Sequence, residues 1–258
     1  MSHPNLTITF LGTGTSGGVP MIACPCYVCS SQNEKDRRLR SSIMVQSNTT
    51  TLVVDTTPDF RTQMLRENVR KLDAVIFTHS HKDHIAGLDD VKAFNFFQQK
   101  PMDIYANALT QEALKREFMY VFADKKYPGI PSINMHTITN EMFTVGDISI
   151  TPILVYHLQM PVLGFRFGNF SYITDANRID ESEKEKIKGT ETIVLNALRK
   201  QEHISHFSLQ EALDLVDEMK IPNAYFTHLS HQLGTHEEIN NELPLNRQLA
   251  WDGLKLKF

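Results

Sequence analysis

Long apolar runs are missing from this 258-residue chain: none approaches the ~20 residues a membrane helix needs, so no span and no membrane partner are expected. A bias toward one charge is missing too. The 26 Lys and Arg stand against 30 Asp and Glu, a formal charge of −4 that provides no broad attraction for nucleic acid. The opening Met1-Ser2-His3-Pro4-Asn5 lacks the basic start and apolar stretch of a secretory signal, so the expected location is cytoplasmic. Cysteine is scarce, and all three (Cys24, Cys26, Cys29) fall in one short segment, which argues against a disulfide framework built on dispersed pairs. Linkers rich in Gly, Ser or Pro are absent as well, which favours one domain over residues 1–258.

What the chain does have is histidine, eleven in all and several clustered. Strand-like and helix-like segments alternate around them. Strands are predicted at 6–11, 43–46, 51–55, 74–78, 148–155, 162–167, 170–174, 193–195 and 224–227, with helices near 85–98, 110–118 and 208–220. Ser208 with Glu211 three residues on is a capping-box signature for the last of these. The pattern predicts an α/β sandwich. Notable polar residues recur where strands end: His79 after AVIFT, His157 after ILVY, Asp175 after SYIT and His228 after AYFT. Strand ends on one rim converge, so one shared site is expected there.

Gly12-Thr13-Gly14-Thr15-Ser16-Gly17 fits G-x-G-x-x-G but runs on into Gly18-Val19-Pro20, which is no helix start. A dinucleotide site needs that helix N-terminus, so the segment reads as a tight loop near the site.

His79, His81, Asp83 and His84 place four ligand types in six positions. Imidazoles with a carboxylate suit Zn or Mn. Leaving an extended strand, His79 and His81 would share one side and one ion, whereas Asp83 and His84, past the turn, would face a second.

Thr78-His79-Ser80-His81-Lys82-Asp83-His84 resembles the H-x-H-x-D-H signature of the metallo-β-lactamase superfamily, and the later ligands follow in order along nearly the whole chain. The resemblance implies a single-domain αβ/βα four-layer sandwich with metals at one rim. It implies His79, His81 and His157 on one divalent ion, Asp83, His84 and His228 on another, and Asp175 between them. Asp55 is a candidate for orienting a ligand imidazole, with a solvated strand-end carboxylate as the alternative.

Cys24-x-Cys26-x-x-Cys29 supplies three thiolates where tetrahedral zinc takes four ligands, and His231, three residues after His228, is the candidate fourth. A structural zinc loop is therefore expected at about residues 20–31. This pairing resembles the PhnP-type phosphodiesterases, one of which hydrolyses phosphoribosyl 1,2-cyclic phosphate. The resemblance implies a small phosphodiester substrate, metal-dependent attack by an acidified water with Asp83 in the catalytic set, and a homodimer. The chain departs from the pattern after residues 193–195, offering Asn196 and Leu198 where a catalytic histidine is expected. His206 is taken as the general acid, with His203 as the alternative. A tRNA-3′-processing-like nuclease, a thioester or lactam hydrolase, and a silent metal-binding scaffold are the competing functions.

Overall fold

The computed structural model describes residues 5–125 and 127–258. Most of the opening segment read for a targeting signal lies outside them. Among the described residues, one sheet contains β1 (Thr7–Gly12), β2 (Ser42–Gln46), β3 (Thr51–Val54), β4 (Ala74–Ile76), β5 (Met102–Ala106), β6 (Ile133–Thr137) and the C-terminal β15 (Lys255–Lys257). The other contains β7 (Phe143–Val145), β8 (Ile148–His157), β9 (Met160–Phe167), β10 (Phe170–Ile173), β11 (Arg178–Ile179), β12 (Thr192–Asn196), β13 (Asn223–Thr227) and β14 (Arg247–Leu249). Helices α1 (Phe60–Arg66), α2 (Lys82–Ile85), α3 (Lys92–Gln98) and α4 (Ala108–Glu117) follow strands of the first sheet; α5 (Glu181–Ile187), α6 (Leu209–Glu218) and α7 (His236–Glu242) follow strands of the second.

Strand alternation sorts the apolar residues into layers. In β2, Ile43 and Val45 face the other sheet and pack with Phe165, Phe170 and Tyr172, while Met44 between them joins Phe60, Met64 and Phe94 of the helices. In β12, Val194 faces the inter-sheet core, while Ile193 and Leu195 join Leu209, Ala212 and Val216 of α6. The result is the expected α/β/β/α sandwich, with both sheets buried on both faces. No helix among the described residues is long and apolar enough to cross a membrane.

Within each sheet, antiparallel hairpins give way to parallel strands. β3, β4, β5 and β6 are parallel neighbours, as are β10, β12, β13 and β14. Their C-terminal ends therefore lie on one rim. The expected helix at 85–98 is instead a single turn, α2, then a 3-10 turn at Leu88–Val91, then α3. Gly87 explains the break: a Cβ there would sit 2.2 Å from Thr57 O and 2.7 Å from Phe60 Cβ, so the chain presses directly on the segment before α1. The helix at 208–220 holds as α6, with both halves of the Ser208–Glu211 capping box formed.

Candidate metal centre

Three strand-end carboxylate or imidazole residues share an uncommon backbone. Asp55 after β3, Asp175 after β10 and His228 after β13 have φ of 67°, 52° and 57°. Non-glycine residues pay a steric penalty in this left-handed region and persist there when their surroundings hold them. For Asp175 the surroundings are visible: the fully buried Asn196 amide accepts from Ala176 N at 2.8 Å and donates to Ala176 O at 2.9 Å. Asn196 therefore clamps the turn that presents Asp175. It does not take the place of the expected catalytic histidine.

Asp55 is buried and does not behave as a solvated strand end. Its carboxylate accepts from Thr78 N (2.9 Å) and Thr78 Oγ1 (2.8 Å) and lies 2.8 Å from His84 Nδ1. Because Thr78 Oγ1 donates to Asp55, it accepts from His79 Nδ1 at 2.9 Å. His157 donates Nδ1–H to Ser205 O at 2.7 Å. Three imidazoles are thus fixed through Nδ1, the arrangement that leaves Nε2 available as a ligand.

The free sides converge. Asp175 Oδ2 lies 2.6 Å from His84 Nε2 and 3.3 Å from His79 Nε2, and Asp175 Oδ1 lies 2.9 Å from His228 Nε2. Ligand atoms of Asp83, His84, Asp175 and His228 all fall within 4.8 Å of one another. His79, His81 and His157 form the adjoining group, with ring centroids 4.7 Å apart for His79–His81 and 5.1 Å for His81–His157. These two groups match the two expected ligand sets, with Asp175 reaching into both.

His79 Nε2, His84 Nε2 and Asp175 Oδ1 are buried yet meet no hydrogen-bond geometry among the described residues. Such orphaned atoms, nitrogen lone pairs beside a carboxylate, fit a cation. The titration behaviour agrees. Burial disfavours the His84 cation, but Asp175, Asp55 and Asp83 around it push its pKa well above the usual imidazole value. Burial would raise Asp175, yet His228 and His84 hold it well below the usual carboxylate range. His79 is driven well down by burial and by His84. Asp55, Asp83 and Asp175 bring three carboxylates into the cluster, and divalent ions on its N and O donors would balance them.

His206 adjoins both groups, its ring stacked 4.9 Å from His228 and tilted at 52° to that of His157 at 4.5 Å, with Nδ1 3.5 Å from Asp175 Oδ1. Burial, then His228, pushes its pKa down to about 3. His203 lies outside it, 5.3 Å ring to ring. The cleft beside His81 and His157 has a volume of about 590 Å³ and is lined also by Leu158, Gln159 and Met160 of the β8–β9 hairpin.

The cysteines assemble as expected. Cys24, Cys26, Cys29 and His231 present ligand atoms within 4.8 Å of one another, with His231 Nδ1 3.4 Å from both Cys24 Sγ and Cys26 Sγ. The Cys29 N–H and the His231 ring lower the Cys26 thiol to about 6, while burial raises Cys29 to about 11. Three sulfurs and one imidazole make a tetrahedral zinc donor set.

Sequence reasoning did not assign roles to Thr78, Asn196 or the Ser205 carbonyl. Thr78 had a local signal, its position directly before the first histidine. The other two act only through tertiary contacts.

An αβ/βα sandwich with a His/Asp cluster able to hold metal at its rim defines a metal-dependent hydrolase. The chain belongs to the beta-lactamase superfamily, whose domain matches residues 50–229. It is similar to a diphosphatase from the PhnP family, with 42% identity and a TM-score of 0.92 over 98% of this chain and 97% of that one. It is also 34% identical, over 95% of its length, to the octanoyltransferase of Porphyromonas gingivalis; the chain spans about half, 50%, of that curated relative. The zinc-bound PqqB of Methylobacterium extorquens shares the fold at 19% identity, TM-score 0.80, over 98% of this chain and 100% of that one.

Proposed function

We propose that this hydrolase is a phosphodiesterase using two divalent ions, Zn or Mn, on a small, anionic phosphodiester such as phosphoribosyl 1,2-cyclic phosphate. The observation that carries the reading is Asp175, whose Oδ2 lies 3.3 Å from His79 of one ligand group and 2.6 Å from His84 of the other, while its Oδ1 lies 2.9 Å from His228. The 42% likeness to a PhnP-family diphosphatase supports phosphorus over carboxyl chemistry. The P. gingivalis relative has twice the length, so its acyl-transfer name belongs to that whole protein.

When bound, the ions would acidify a water from ~15.7 toward ~7 and neutralise phosphoryl charge. The chain's own residues do the rest. His79, His81 and His157 would hold one ion, and Asp83, His84 and His228 the other. Asp55 fixes His84 directly and His79 through Thr78, so neither ring can swing out of place. His206 serves the leaving oxygen as proton donor. Its surroundings disfavour the imidazolium, so an anionic substrate beside it is what opposes that shift. Cys24, Cys26, Cys29 and His231 would hold a third ion, a zinc, and so join the 20–31 loop to the segment carrying His228.

The test is a panel of cyclic and linear phosphodiesters, nitrocefin and a thioester, run on protein of measured metal content. Chelator-sensitive cleavage confined to the phosphodiesters is expected. Cleavage confined to the lactam or thioester would overturn the reading.

A further inference from the structure

The glycine-rich loop holds no nucleotide signature, and the chemistry above leaves it unused. The structure nevertheless brings it against the ligand set. Leu229 N donates to Thr13 O at 2.9 Å and Thr15 N donates to Leu229 O at 3.1 Å, zipping the loop to the residue after His228. Thr15 Oγ1 comes to rest 3.1 Å from His228 Nε2, the same nitrogen that lies 2.9 Å from Asp175 Oδ1. The hydroxyl therefore borders the ion-ligating atoms themselves.

The other side of the loop is held by Arg40. Its Nη1 binds both oxygens of Asp59, at 3.0 and 3.1 Å, and its Nε donates to Ser16 O at 3.2 Å. In a planar trans peptide the C=O and N–H point oppositely, so the Gly17 N–H is turned away from Arg40. Among the described residues, the Ser16 and Gly17 amides have no hydrogen-bond partner. A Cβ on Gly17 would meet nothing closer than Met21 Cγ at 3.7 Å, so the space over this peptide is open.

We propose that the Thr15 hydroxyl, together with the unpaired Gly17 amide two residues on, binds a non-bridging phosphoryl oxygen of the substrate. The proposal rests on the phosphodiesterase reading and adds a substrate-contacting residue to it. Once an ion uses the His228 Nε2 lone pair, the hydroxyl loses that acceptor. A phosphoryl oxygen is the strong acceptor the proposed substrate brings to that position.

Thr15→Val keeps the branched shape and removes the hydroxyl, Thr15→Ser keeps the hydroxyl, and Gly17→Ala adds a methyl where there is room for one. Metal content by mass spectrometry, inorganic phosphate binding by calorimetry, and kcat and KM on bis(p-nitrophenyl) phosphate are measured for each. Expected for Thr15→Val is wild-type metal content with roughly 10- to 100-fold weaker phosphate binding, the size of one hydrogen bond to a charged group. Thr15→Ser stays near wild type, and Gly17→Ala weakens phosphate binding without loss of metal. Phosphate affinity unchanged in Thr15→Val, or lost only together with metal, would overturn the proposal while wild-type diester cleavage leaves the phosphodiesterase reading intact. Metal-loaded wild type that neither binds phosphate nor cleaves the diester overturns both.

Discussion

Asp55 and His84 meet 2.8 Å apart, carboxylate to Nδ1, and both side chains are fully buried. One carboxylate thereby sets the rotation of His84 and, through Thr78, that of His79. Its role is to aim ligands, which makes it separable from ligation itself.

Asp55→Asn keeps the size of the side chain and removes its charge. Metal affinity is expected to fall about 10- to 100-fold, as for other partners of ligating histidines. Competition with a chromophoric chelator measures it, and wild-type affinity in the variant would show that Asp55 does not orient the site.

His206→Gln separates proton donation from metal binding. Loss of a general acid costs roughly 100- to 10,000-fold when the leaving group needs a proton. The loss should be large for alkyl or ribosyl diesters and small for p-nitrophenyl esters, whose leaving group needs little protonation. Equal losses across both would reject the assignment.

How much of this was legible beforehand depends on where each signal lies. His79 to His84 is a local motif, so four candidate ligands could be read without any fold. Asp175 and His228 were readable because each closes an apolar strand, and strand ends on one rim meet. The helix at 85–98 was drawn unbroken because Gly87's reason for being glycine lies in Thr57 and Phe60, some thirty positions earlier. Strand β15 pairs with β1 across nearly the whole chain, which no periodicity shows. Asn196 looked like a missing catalytic group; only the contact with Ala176 shows that it braces Asp175.

Cys24→Ser and His231→Ala each remove one of four zinc donors. Each variant should hold one zinc fewer per chain and melt at lower temperature, since structural zinc contributes folding free energy. Elemental analysis with thermal melting checks this. Unchanged zinc content in both would mean the thiols hold none.

His236 gives the protein a pH-dependent term away from the metal centre. Burial, then Arg38 and Lys35, lowers its pKa to about 4 against the ordinary 6.5. Between these values the unfolded chain binds more protons, so this group's contribution is complete above pH 6.5 and is lost as pH falls toward 4. Asp252, raised to about 6 by burial, contributes the opposite slope over part of that window. The comparison of wild type with His236→Gln isolates the histidine: urea midpoints should diverge less with acidification in the variant. Parallel pH curves would contradict it.

The central claim is a pair of ions bridged by Asp175. Its most direct test is chelator-sensitive turnover of bis(p-nitrophenyl) phosphate by wild type and Asp175→Ala, each with metal counted per chain. The account predicts an active wild type with two ions beyond the cysteine-bound zinc, and a variant that loses bridged metal and activity together. Near-normal turnover by Asp175→Ala would contradict it.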